Sequence, residues 1–183
     1  MSEHDRARWD AAYTDRPLGA GLPDGPAGPP RAFAGHVDEF PTAGSALDVA
    51  CGSGENSVWL ARRGLHVWGI DVSPVAITQA TQFAARNGVA QRCRFDVVDL
   101  DDGLPDGPPV DVVLCHRFRD PRLYEALRAR LAPGGLLAIC VLSEVGAEAG
   151  RFRAPAGELR AHFGALQVIA ENERDGEAWL LAR

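Results

Sequence analysis

The amino-acid sequence predicts an α/β protein: a doubly wound, mostly parallel sheet of seven strands with one antiparallel strand near its C-terminal end, in a single domain. Three observations predict it. Short apolar runs alternate with helix-periodic segments from residue 45 to residue 163, and strands that recur across intervening helices lie parallel with helices on both faces. The last two apolar runs, 166–172 and 177–183, are separated by a few polar residues including Asp175 and Gly176, so they can pair only antiparallel. The length of 183 residues suits one domain with a sizeable core.

The elements follow in order. Residues 2–15 place Trp9, Ala12 and Tyr13 at helical spacing and predict a short helix. The glycines and prolines of 16–30 forbid regular structure and predict a surface loop or lid. Residues 31–40 read as a short helix ending before Pro41, because the residue before a proline avoids helical geometry. A buried strand at 45–50 opens the repeating pattern. A helix at 55–63, a strand at 65–71, a helix at 74–87 capped by Gly88 and a strand at 93–99 come next. A strand at 110–116, a helix at 121–131, a strand at 134–142 after the turn "LAPGG" and a helix at 156–163 precede the closing hairpin. Residues 1–45 are thus expected to be a helical segment with a lid, and 46–183 the core.

Composition narrows the function. The chain is 46% hydrophobic and 24% charged, which excludes a disordered or fibrous protein, and no apolar run approaches the roughly 18 residues that span a bilayer. The N-terminus lacks the apolar stretch of a secretory signal, so a cytoplasmic location is expected. Cys51, Cys93, Cys115 and Cys140 lack metal-ligand spacing and read as buried, reduced thiols, with no metal expected. A net charge of -6 repels phosphate backbones, so no nucleic-acid partner and no membrane partner is expected. All the basic side chains are arginine, suited to forked bonds with carboxylate or phosphate.

The stretch "LDVACGSGENS", 47–57, carries the functional signal. It is a strand that breaks into a glycine-rich turn and starts a helix, at the edge where parallel sheets bind ligands. Gly52 and Gly54 let the backbone approach a ligand, and the helix start offers unpaired N–H groups. At the end of the next strand stands Asp71, placed to bind a ribose diol. A nucleoside-containing ligand is expected. A dinucleotide turn prefers a third glycine, where this chain has Ser57, and this weakens a nicotinamide cofactor.

These residues resemble the class I S-adenosylmethionine-dependent methyltransferases, whose fold is Rossmann-like. "LDVACGSG" is similar to their first motif, with Ala50 where a glycine often stands; "GIDVSPVAI" to their second; "LAPGG" to the turn before their fifth strand. "RWDAAY" resembles the entry segment of small tellurite-resistance and thiopurine-type members. The resemblance implies S-adenosyl-L-methionine as cofactor. It assigns Asp48 to organising the turn, Ala50, Gly52 and Gly54 to the methionyl part, and Asp71 to the ribose. Val72 would pack on adenine, Asp99 and Leu100 would bond it, and Cys115 and His116 would stand beside the transferable methyl group. Asp48 and Asp99 could instead cap turns, and Val72 could be core.

The implied reaction is methyl transfer to a small-molecule acceptor by in-line displacement. His116 is the candidate base for a protic acceptor. Arg117 and Arg119, then Arg151 and Arg153, follow the fourth and fifth strands, and one or two of them are expected to bind an anionic acceptor, Arg117 and Arg151 foremost. Trp9, Tyr13, Phe33 and Phe152 are expected to line or lid an apolar acceptor pocket. Rival readings are a non-catalytic cofactor-binding sensor or partner subunit, and a macromolecule methyltransferase.

Overall fold

The computed structural model describes residues 3–14 and 27–183. Most of the predicted Gly/Pro-rich lid lies outside the described residues. The seven strands form one sheet in the order β3-β2-β1-β4-β5-β7-β6. They are β1 (Ser45–Val49), β2 (His66–Asp71), β3 (Cys93–Val97), β4 (Val110–His116), β5 (Leu131–Leu142), β6 (Val168–Arg174) and β7 (Glu177–Ala182). β7 runs antiparallel to both its neighbours, β5 and β6, and the other pairings are parallel. The expected architecture is the observed one. Asp175 and Gly176 both adopt positive φ, 54° and 79°, which lets a two-residue turn close the β6–β7 hairpin.

Two apolar layers cover the sheet. One packs the helices α2 (Glu55–Arg62) and α3 (Pro74–Arg86) against β1, β2 and the buried Phe33 and Phe40; the other packs α4 (Tyr124–Ala129) and α5 (Glu158–Phe163) through Leu127, Leu159 and Phe163. The predicted helix at 31–40 is a 3-10 helix at Arg31–Glu39, broken at His36. "LAPGG" does not stand apart as a turn; it falls inside β5, whose register against β4 shifts between Val110 and Val112. The N-terminal helix α1 (Glu3–Thr14) lies across α3, where the Gln79 amide donates to the Tyr13 carbonyl (2.8 Å).

The strand order fixes where a ligand sits. The chain leaves β1 for β2 and β3 on one side, then returns to lay β4 on β1's other side, so connections diverge at the carboxyl ends of β1 and β4. The resulting crevice is the binding place of open parallel sheets.

Candidate active site

The turn after β1 is built from alternating left-handed residues. Ala50, Gly52 and Gly54 have φ of 54°, 55° and 81°. A left-handed non-glycine residue costs roughly 1–2 kcal/mol, which explains why glycine suits position 50 and why alanine there is a strained exception. A Cβ on Gly54 would lie 2.7 Å from the Ala80 Cβ, and one on Gly52 2.7 Å from the Tyr13 hydroxyl. Gly54 is therefore needed for helix packing. At Gly52 the nearest described atoms belong to the end of the Tyr13 side chain.

Two buried aspartates frame the turn. Asp71, at the end of β2, accepts from the Gly52 N–H (2.9 Å) and the Ser73 N–H (3.0 Å), one on each carboxylate oxygen. The Val72 N–H also bonds this carboxylate, so among the described residues three of its four acceptor sites are taken and one is left for a hydroxyl donor. Burial raises its pKa despite these backbone bonds. Asp48 accepts from the Ser57 hydroxyl through Oδ2 (2.6 Å), while its buried Oδ1 has no hydrogen-bond partner among the described residues. Burial lifts the Asp48 carboxyl from 3.8 to about 7, with the Asp71 charge adding to the rise and the Ser57 bond opposing it. Ser57 is the residue that sequence reasoning treated only as a missing glycine.

α1 lies over this turn. The Ser73 hydroxyl, whose oxygen also caps α3 by accepting from Ala76 N–H (3.1 Å), donates to the Asp10 carboxylate. Tyr13, expected beside the acceptor, has its hydroxyl end against Gly52. Further along α1, the Arg8 guanidinium sits 5.2 Å from the ring centres of both Trp9 and Phe152, and Arg151 stacks on Phe152 at 5.3 Å. Trp9 and Phe152 are exposed at 38% and 47%.

The other expectations divide. Val72 and Leu100 are buried behind the turn, and the Asp99 carboxylate accepts from Asp101 N–H (3.0 Å), capping the turn at Leu100–Asp102. Cys115 is buried in the core and its thiol donates to the Phe118 carbonyl (3.4 Å). Phe33 is core, packed against Phe40 and Trp179. Arg119 forms a forked pair with Glu158, which also accepts from Tyr124 (2.8 Å), and Arg153 donates to the carbonyls of Ser143 and Gly176. Arg117, at φ 61°, holds Glu177 loosely (3.4 Å). His116 ends β4 half-buried, its pKa lowered by desolvation and then by Arg117.

Residues 46–135 match the family described as a methyltransferase domain. The chain is 31% identical over 144 residues to a protein-L-isoaspartate O-methyltransferase from Anaeromyxobacter dehalogenans, covering 75% of this chain and 68% of that one. The chain belongs to the class I S-adenosylmethionine-dependent methyltransferases. A ribosomal RNA small subunit methyltransferase C from Alcanivorax borkumensis is 44% identical over 104 residues, which cover 51% of this chain but only about a third (31%) of that relative's length. The structure of TehB from Haemophilus influenzae shares the fold, with a TM-score of 0.68, 17% identity, and coverage of 77% of this chain and 57% of that one.

The cofactor of such a methyltransferase is S-adenosylmethionine, and the residues present fit it. The Asp48 Oδ1, without a partner among the described residues, suits an ammonium, the space at Gly52 suits a chain lying on the backbone, and the remaining acceptor capacity of Asp71 suits a hydroxyl of a diol.

Proposed function

We propose that this protein, in the cytoplasm, transfers a methyl group from S-adenosylmethionine to a small-molecule acceptor that is anionic or aromatic. The observation that carries the acceptor class is the rim where Arg8 and Arg151 stack on the exposed rings of Trp9 and Phe152. Two cations on two aromatic faces, in a chain of net charge -6, suit a flat anion. The four cysteines are free thiols, which supports a reducing compartment, and no described helix is long and apolar enough to cross a membrane.

Bound S-adenosylmethionine supplies a methyl group already activated on a sulfonium sulfur. The protein's task is alignment. Asp48, Ala50, Gly52 and Gly54 hold the methionyl part, and Asp71 holds the ribose. Val72, Asp99 and Leu100 receive the adenine. His116, at the β4 end, faces the acceptor as the catalytic residue, and α1 covers both ligands. Its reach from Ser73 to Phe152 supports this. A macromolecular acceptor is the second reading, favoured by the similarity to a ribosomal RNA methyltransferase.

Calorimetric titration of S-adenosylmethionine and S-adenosylhomocysteine, with NAD as control and Asp71→Ala alongside, tests the cofactor half. Micromolar binding of the first two that the variant loses is expected. An acceptor panel then compares wild type with Arg151→Ala, whose KM for an anionic acceptor should rise roughly tenfold or more. An unchanged KM would remove the rim from acceptor recognition, and turnover of RNA or protein alone would establish the second reading.

A further inference from the structure

Three chemically different donors meet at the carboxyl edge of the sheet. His116 pairs in register with Cys140, Cys140 with Trp179, and Leu142 with Glu177. Paired residues share a face of the sheet, and so do residues two apart, so the side chains of His116, Cys140 and Glu177 lie on the same face. The imidazole nitrogen, the thiol sulfur and the carboxylate oxygen all lie within 4.8 Å of one another.

We propose that His116, Cys140 and Glu177 form a zinc-class divalent metal site at the acceptor end of the crevice, with the fourth position left to an anionic oxygen or sulfur of the acceptor. The location beside the acceptor rests on the methyl-transfer reading; the metal site itself does not. The donor set decides the metal, because magnesium and calcium take oxygen ligands, whereas a mix of nitrogen, sulfur and oxygen suits zinc. The donor count decides the type of site. Three protein ligands with one open position is the pattern of zinc sites that act on a ligand, while sites that only brace a fold use four.

The geometry permits closure. Donors at zinc bond lengths around a tetrahedral ion stand roughly 3.5 Å apart, so the three groups need shifts of about an ångström, within reach of side-chain rotation. Cys140 is fully buried and forms the floor, while the Glu177 side chain, 29% exposed, stands at the solvent boundary where an ion would enter. Arg117, which neutralises Glu177 at 3.4 Å, is 65% exposed and free to swing aside. The arginine and the ion compete for one carboxylate.

Such an ion gives His116 its part in the reaction as a ligand. A metal-bound hydroxyl or thiol loses its proton to solvent at near-neutral pH. The electron pair left on that oxygen or sulfur forms the bond to the methyl carbon as the carbon–sulfonium bond breaks, and that pair leaves on the sulfur.

The test uses untagged full-length protein stripped with a chelator. Zinc titration by calorimetry and the absorption spectrum with cobalt in zinc's place should show one ion per chain and a thiolate-to-cobalt charge-transfer band. Cys140→Ser should abolish the band and weaken zinc by more than about 100-fold, the upper end of what a change outside the ligand set costs. Glu177→Gln, at the solvent boundary where folding is tolerant, should weaken zinc similarly, and Arg117→Ala should tighten it. No stoichiometric zinc in the wild type, or zinc that both weakened variants retain, overturns the site. S-adenosylhomocysteine titrated into the same samples keeps the two ideas separate. Zinc bound without cofactor overturns the methyl-transfer reading alone, and cofactor bound without zinc overturns the metal site alone.

Discussion

Over β1 and β2 the wall of the crevice is largely backbone: a turn of alternating left-handed residues, with the Gly52 and Ser73 N–H groups held by one carboxylate. Over β4, β5 and β7 it is side chain, with arginines, a histidine, a thiol and a glutamate brought in from distant strands and loops. A backbone site tolerates few substitutions because its shape is the chain's own path. A side-chain site can be rewritten one residue at a time without disturbing the strands beneath, which suits a fold whose cofactor is constant and whose acceptor is not.

The largest expected effect tests that division within the backbone half. Gly54→Ala puts a Cβ 2.7 Å from Ala80 at φ 81°, combining left-handed strain with overpacking, and should cost about 2–4 kcal/mol, measured by denaturant unfolding. Gly52→Ala shares the positive φ but meets only the movable end of Tyr13, so about 1–2 kcal/mol is expected, together with loss of S-adenosylhomocysteine binding. Equal stability losses for the two would show that Gly52 is packed like Gly54, and that no space for a ligand lies over it.

The same division explains what the sequence disclosed. The sheet, its antiparallel strand and the glycine turn are local patterns, set by residues within a few positions of each other. Ser57 looked like a lost glycine because its hydroxyl acquires meaning only when α2 folds back over β1 and delivers it to Asp48. Arg119 and Arg153 stand in the same loops as the foremost candidates, Arg117 and Arg151, and nothing local shows that Glu158 and the carbonyls of Ser143 and Gly176 will claim the first two. Tyr13 and Phe33 were grouped as pocket aromatics, although one covers the turn and the other is core. Long-range partners decided each case.

Within the side-chain half, the two kinds of arginine should separate cleanly. Arg119 is 19% and Glu158 9% exposed, so Arg119→Ala leaves a nearly buried carboxylate without its cation and should cost about 3 kcal/mol. Arg151→Ala, exposed on the Phe152 ring, should change stability by less than about 0.5 kcal/mol. Thermal unfolding reads both. A large loss at Arg151 would make it part of the scaffold, and its effect on acceptor KM would then say nothing about recognition.

The smallest effect is a proton. With its pKa lifted from 3.8 to about 7, Asp48 favours its protonated form in the fold, so its contribution to stability is complete below pH 4 and is lost as the pH rises through about 7. An ammonium bonded to Oδ1 reverses this preference. Below about pH 7, binding S-adenosylhomocysteine should therefore expel a proton, and affinity should fall by at most about tenfold per pH unit as acid competes. The ligand's own amino group is already an ammonium at pH 6, its reference pKa being near 8, so it contributes nothing to that count. Calorimetry at pH 6 in buffers of different ionisation enthalpy gives the number of protons released. Asp71 is raised too, and Asp48→Asn separates the two: release that survives the substitution belongs to Asp71 and would place the ammonium away from Asp48. Removing the Ser57 bond, which holds the Asp48 pKa down, should move the window to higher pH, the opposite of what a simple loss of packing would do.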